Sequence, residues 1–177
     1  MLKKLRQLST YTEWKNPWWE LRRDEYERPD GSTGNFHYIH TRGSVMIVPV
    51  LHDGRILMLS QYRYLNQRVS LEFPGGGIGE LTYETAARQE LEEEAGIVGA
   101  ELLLIGEFNP MNGATDEICR VFVARSGKRK KARPEITEQF EEMRTTPNEI
   151  DTLIQSGEIW DGMSIAAWVL AKRVLER

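Results

Sequence analysis

Cysteine is nearly absent from this sequence: Cys119 is the single cysteine in 177 residues. An internal disulfide is therefore excluded, and a reducing, cytoplasmic setting suits the chain. Histidine is also scarce. His37, His40 and His52 fall on strand-like or turn segments without a metal-ligand spacing, which leaves them structural roles. No apolar run approaches the ~20 residues of a membrane-spanning helix. The start, Met1-Leu2-Lys3-Lys4-Leu5-Arg6, is basic but is not followed by the apolar stretch of a signal peptide. Excess positive charge is missing too. A net charge of -4 gives no electrostatic case for whole-surface binding to nucleic acid or to an anionic membrane. Internal repeats and low-complexity segments are absent.

What is present is ordinary in bulk. With 40% hydrophobic and 28% charged residues, the chain reads as one soluble globular domain with a substantial core. One segment is not ordinary. Gly75-Gly76-Gly77-Ile78 leads into Ala86-Ala87-Arg88-Gln89-Glu90-Leu91-Glu92-Glu93-Glu94-Ala95-Gly96-Ile97, a glycine turn before an acidic helix. Glu90, Glu93 and Glu94 are spaced i, i+3 and i+4, so their carboxylates project from one side, about a third of the circumference. Glu92 points the other way. Like charges at that spacing repel by a few tenths of a kcal/mol per pair. A hard divalent cation with oxygen ligands would offset that cost, although a run of glutamates can also be merely a solvated helix face.

The flanking residues decide between the two. Glu90 to Ile97 matches the second half of the pattern GX5EX7REUXEEXGU, with U aliphatic, at every defined position, and Gly75 falls on its opening glycine. The segment thus resembles the Nudix box. It departs at two positions. Gln89 stands in place of the arginine, with Arg88 just before it, and Leu81 in place of the earlier glutamate, with Glu80 beside it. The loop from Ile78 to Thr82 is also shorter than is usual in the family. The family arginine orients a metal-binding glutamate, and Gln89 could do so only by hydrogen bonding.

Along the rest of the chain, Trp19 to Tyr26, a turn at Pro29-Asp30-Gly31, and Phe36 to His40 read as a hairpin. Val45 to Leu51 reads as a central buried strand. His52-Asp53-Gly54-Arg55 then turns it into an adjacent antiparallel strand, Ile56 to Leu59. Ser70 to Phe73, Leu102 to Phe108 and Ile118 to Ala124 read as further strands. Thr82 is the expected N-cap of the acidic helix, with Glu84 in its first turn and Gly96 as its stop. Lys128-Arg129-Lys130-Lys131 reads as a solvated hairpin tip or, less simply, a phosphate contact. Thr146-Pro147 opens a helix that ends at Gly157. Ile165, Ala166, Val169, Leu170 and Val174 form a helical apolar stripe. The expected architecture is α/β. The resemblance specifies an α/β/α sandwich with a mixed sheet and an N-terminal β-hairpin extension: residues 1–42 a segment contributing to a dimer, residues 43–177 the catalytic domain.

Outside the box, Gln61-Tyr62-Arg63-Tyr64, Leu71-Glu72-Phe73-Pro74 and the loop with Asn109-Pro110, Gly113, Thr115, Asp116 and Glu117 resemble ADP-ribose pyrophosphatases and related nucleotide-sugar hydrolases. A second proline often stands at the position of Asn112, so that loop matches in part. Arg63 can bind phosphate oxygens through two parallel hydrogen bonds, or be a surface arginine. Glu72 can accept from ribose hydroxyls, or be an exposed strand residue. Trp18 and Trp19 can stack on a base, in this branch from the partner subunit of a homodimer, or pack in the core. The resemblance implies two or three Mg2+ or Mn2+ ions held by Glu90, Glu93 and Glu94 with the Gly75 carbonyl. It also implies that a glutamate of a later loop acts as general base, among Glu135, Glu138, Glu141 and Glu142, with Glu138 the choice. Pro110 is the branch marker for ADP-sugars. The expected reaction is hydrolysis of ADP-ribose to AMP and ribose 5-phosphate. Two alternatives stay open: another nucleoside-diphosphate-linked or dinucleoside polyphosphate substrate, or a catalytically weak nucleotide-sugar binding module.

Overall fold

A computed structural model describes residues 3–133 and 139–176. The chain opens with β1 (Arg6–Lys15), β2 (Glu20–Glu27) and β3 (Thr33–His40), an antiparallel three-stranded sheet. The hairpin read from the sequence is β2–β3, turned at Gly31 with φ +84°. The outer strand β1 was not expected. Next come β4 (Ser44–Pro49), β5 (Ile56–Arg63), β6 (Arg68–Glu72), β7 (Gly75–Gly77), α1 (Tyr83–Glu93), β8 (Ile97–Val98), β9 (Glu101–Phe108) and β10 (Cys119–Arg125). The chain finishes with β11 (Lys128–Arg129), β12 (Glu141–Thr145), α2 (Pro147–Ser156) and α3 (Gly162–Leu175).

The central sheet has the order β7-β4-β10-β9 and is mixed, since β4 and β10 run parallel while the outer pairs are antiparallel. Strand alternation divides its two faces. Val45, Ile47, Phe122 and Ala124 turn toward Ala86, Ala87 and Leu91 of α1. Met46, Val48, Val121 and Val123 turn toward Ile150 of α2 and Ala167, Trp168 and Ala171 of α3. The result is the α/β/α sandwich with a mixed sheet that the sequence led us to expect. Among the described residues no helix is long and apolar enough to cross a membrane.

Three local expectations need correction. β5 does not extend β4 as a ladder partner. A single bridge, Val50 to Ile56, joins them, and β5 then pairs with β6 and β12 in a second sheet. The basic segment is not a free hairpin tip, because β11 pairs with β8 and the chain beyond it lies against the end of α1. The buried face of α3 is Ser164, Ala167, Trp168 and Ala171, whereas Val169, expected in the core stripe, is 58% exposed.

The helix ends follow their caps. Thr82 Oγ1 accepts from Thr85 N at 3.2 Å, and Thr146 with Glu149 forms a capping box before Pro147. The two C-terminal helices are pinned by Asp151, which accepts from Lys172 Nζ at 2.6 Å and Trp168 Nε1 at 2.8 Å. The lysine first, then the indole N–H, hold the Asp151 carboxyl below the ordinary carboxylate range, against a smaller effect of burial. A carboxyl depressed in the folded state stabilises at neutral pH, and that contribution fades as pH falls below about 4. Urea melts of wild type and Asp151→Asn should therefore differ at neutral pH and converge in that acidic range. A gap of constant size would show that the pin is not electrostatic.

Candidate active site

The site is built where α1 passes over β7. Ala86, Ala87 and Leu91 lock one face of α1 into the core, which leaves the flank carrying Glu90, Glu93 and Glu94 beside the glycine strand. Glu94 is only 6% exposed, and its Oε2 accepts from Gly75 N at 2.9 Å. A Cβ placed on Gly76 would lie 2.3 Å from Glu90 Oε1, so the Glu90 carboxylate rests directly over that backbone. A Cβ on Gly75 would meet the Val45 carbonyl oxygen at 2.3 Å. These glycines are required by close approach, not by an unusual φ. Glu92, as expected, stands apart in solvent with Lys130 Nζ at 3.7 Å.

The two departures from the box now have partners. Gln89 Nε2 donates to Glu93 Oε1 at 3.2 Å, so a neutral amide holds that carboxylate. Arg88 cannot substitute, because it is bound to Glu84 and to the Ala100 carbonyl. Leu81 is exposed, and Glu80 pairs with Arg42. Among the described residues no three ligating side chains already close into a cation site. The donor set nonetheless suits a hard divalent cation, since the Glu94 carboxylate bonds Gly75 N and the Glu90 carboxylate lies over Gly76, where a side chain would displace it.

Across the site, Arg63 and Glu72 are joined to each other. Arg63 Nε donates to Glu72 Oε1 at 2.8 Å, Arg63 Nη2 donates to Glu72 Oε2, and Gln61 Nε2 donates to Oε2 at 3.3 Å. Glu72 is 4% exposed, so it is not the exposed strand residue the sequence allowed. The Glu72 hydrogen bonds raise the Arg63 pKa most, against burial, with Asp161 and Glu94 adding weaker charge effects. Gln61 was not singled out in the sequence. Its amide gives no signal until the hairpin brings it to Glu72.

Trp18 is 79% exposed on the β1–β2 loop, held there by Asn16 Oδ1, which accepts from the backbone N–H of Trp18 and Trp19. Trp19 packs on Trp14 with ring centroids 4.9 Å apart. Neither ring is in the core. Pro110 is half-buried in a loop that Asn109 folds by donating to the Thr115 carbonyl. Asp116 of that loop meets His40 Nδ1 at 2.6 Å and the Ala114 carbonyl accepts from Ile39 N, tying the N-terminal sheet to the central one.

Of the later acids, Glu135 and Glu138 lie outside the described residues. Glu142 is held by Arg129, and Glu141 sits exposed on β12 opposite Ser60. Cys119 is buried, which pushes its thiol up to about 12, so it is no nucleophile.

The NUDIX domain pattern matches residues 40–166. The chain belongs to the Nudix family. This Nudix protein is 31% identical over 148 residues to an ADP-ribose pyrophosphatase of Bacillus subtilis, covering 81% of this chain and 80% of that one. A methanol dehydrogenase activator of Bacillus methanolicus is 29% identical over 84% of this chain and 82% of its own. An ADP-ribose pyrophosphatase of Mycobacterium tuberculosis is 36% identical over 65% of this chain and 56% of its own. In fold, a crystal structure of an ADP compounds hydrolase matches with TM-score 0.84 over 99% of this chain and 96% of that chain, at 19% identity. The protein is accordingly a Nudix pyrophosphohydrolase, of a family that in general depends on divalent metal.

Proposed function

We propose that the protein hydrolyses the pyrophosphate bond of a nucleoside diphosphate sugar, foremost ADP-ribose, giving AMP and ribose 5-phosphate. The observation that carries this reading is the seating of the Glu90 and Glu94 carboxylates against Gly75 and Gly76. The relatives named ADP-ribose pyrophosphatase support the substrate. Glu90, Glu93 and Glu94, with the Gly75 carbonyl, would hold Mg2+ or Mn2+. When bound, such ions neutralise the diphosphate and lower the pKa of a bound water. Gln89 keeps Glu93 oriented from outside the ligand set. Arg63 faces the diphosphate, and Pro110 shapes the loop next to the sugar nucleotide. Glu138 is the proposed general base.

Trp18 is exposed enough to stack on a base, and Tyr11 and Trp14, with Trp19 packed on Trp14, present apolar surface on one face of the N-terminal sheet. We place a homodimer contact there, so that the tryptophans serve a partner's site. A second reading, another nucleotide-linked substrate, draws on a Streptomyces rubellomurinus hydrolase of a CMP-linked phosphonate, 30% identical over 75% of this chain.

A phosphatase-coupled screen over ADP-ribose, ADP-glucose, GDP-mannose, UDP-glucose and nucleoside triphosphates decides among these. ADP-ribose is expected to give the highest kcat/KM. Turnover confined to triphosphates would overturn the assignment.

A further inference from the structure

We infer that Glu72 is a positioning residue that acts on the diphosphate through Arg63 and does not itself touch substrate. This rests on the reading of the site as a diphosphate hydrolase and deepens it. Two parallel donors of Arg63, Nε and Nη2, are taken by the two oxygens of Glu72, and Gln61 fills a further acceptor position on Oε2. A carboxylate offers about four acceptor positions, so little of Glu72 is left for a ribose hydroxyl. Its burial closes the approach as well. Arg63 is the reverse case: its side chain is 47% exposed, and a guanidinium carries five N–H donors. With the inner edge of the fork bound, the remaining donors on Nη1 and Nη2 are held at one fixed angle.

That arrangement solves a problem the strand geometry creates. Arg63 is the last residue of β5, and its ladder partner is Arg68, another cation. Left alone, a strand-end arginine samples many rotamers, and ordering it upon binding weakens affinity. Glu72, four residues further along β6 and opposite Leu59, reaches the guanidinium from below and orders it in advance. Gln61, on the same strand as Arg63, fixes the carboxylate in turn. The anion therefore meets a prearranged fork.

The test is a double-variant cycle of Glu72→Gln and Arg63→Ala. It reads KM and kcat for ADP-ribose with Mg2+, the affinity for inorganic pyrophosphate by calorimetry, and the melting temperature. Glu72→Gln alone should raise KM and weaken pyrophosphate binding by about tenfold, with kcat within about threefold of wild type. Arg63→Ala should do at least as much to binding and should also lower the melting temperature, because it strands a buried carboxylate. Adding Glu72→Gln to Arg63→Ala should change binding no further and should restore part of the melting temperature. A further loss of binding in the double variant would mean that Glu72 contacts the ligand itself and would overturn the inference. So would unchanged KM and pyrophosphate affinity in Glu72→Gln alone. Absence of wild-type turnover on any nucleotide sugar counts against the proposed function, while the pyrophosphate cycle still decides the role of Glu72.

Discussion

Glu94→Gln is expected to lower turnover of ADP-ribose with Mg2+ by about three orders of magnitude while leaving the fold intact. The fold should survive because the glutamine keeps an oxygen in place to accept from Gly75 N, the contact made by Glu94 Oε2. The chemistry should not, because a neutral amide no longer supplies the negative charge that holds a divalent ion. Loss of a charge-neutralising ligand at a diphosphate costs about 4 kcal/mol of barrier, and each 1.36 kcal/mol is about a decade in rate. Glu92→Gln is the matched control, since Glu92 lies in solvent on the other side of the helix. It should stay within a few-fold of wild type. Steady-state rates from the phosphatase-coupled assay check both, with circular dichroism to confirm folding. If Glu94→Gln turned over within a few-fold of wild type, the metal assignment would be wrong.

A methyl group on Gly76 should do the next largest damage, about a decade less, without removing a charge. The added Cβ would stand 2.3 Å from Glu90 Oε1 and 2.7 Å from its Cδ, both far inside contact distance. Those atoms belong to the end of a flexible side chain, so the carboxylate swings aside and the backbone stays. Displacing a positioned group by roughly 1 Å can cost about a hundredfold, and Gly76→Ala should lose about that much in kcat with little change in urea midpoint. Gly75→Ala separates the two effects. Its Cβ would strike the Val45 carbonyl oxygen at 2.3 Å, a backbone atom that cannot turn away. Overpacking of that kind costs about 1–3 kcal/mol, so Gly75→Ala should lower the urea midpoint itself. A fully active Gly76→Ala would show that the seat of Glu90 over the glycine strand is not needed.

How far these features could be read in advance depended on whether they were local. The i, i+3, i+4 spacing of the glutamates, the Thr82 cap and the Thr146-Pro147 start are one-turn patterns, and the structure reproduces the helices they specify. β1 escaped notice because nearly all of it is exposed, so no apolar alternation marks it, and two register shifts against β2 break its period. On α3 the apolar stripe holds for Ile165 and Leu170, which pack against the core, but not for Val169, and the most buried positions escape it for the opposite reason. The helix lies close to the sheet on Ser164, Ala167 and Ala171, small residues that a search for large aliphatic side chains passes over. In the site, Arg63 and Glu72 were each visible as polar residues beside the box. Their pairing was not, since it depends on the β5–β6 register. Gln89 was legible as a departure, but its bond to Glu93 was not.

The place of the acidic residues along α1 has an energetic consequence of its own. Glu90 and Glu93 lie in its last turn, Glu94 is its C-cap, and no basic residue occupies that turn. A helix carries roughly half a negative charge at this end from its unpaired carbonyls, so the backbone acts in the same sense as the side chains. The backbone N–H groups of Lys130 and Arg133, donating to the Gly96 and Glu93 carbonyls, and the Arg129 guanidinium, donating to the Ala95 carbonyl, relieve part of that field. Three acids at the opposite end of the helix would have made a more stable protein. Here they make one whose stability should rise with divalent cation concentration, because whatever binds the folded state alone draws the folding equilibrium toward it.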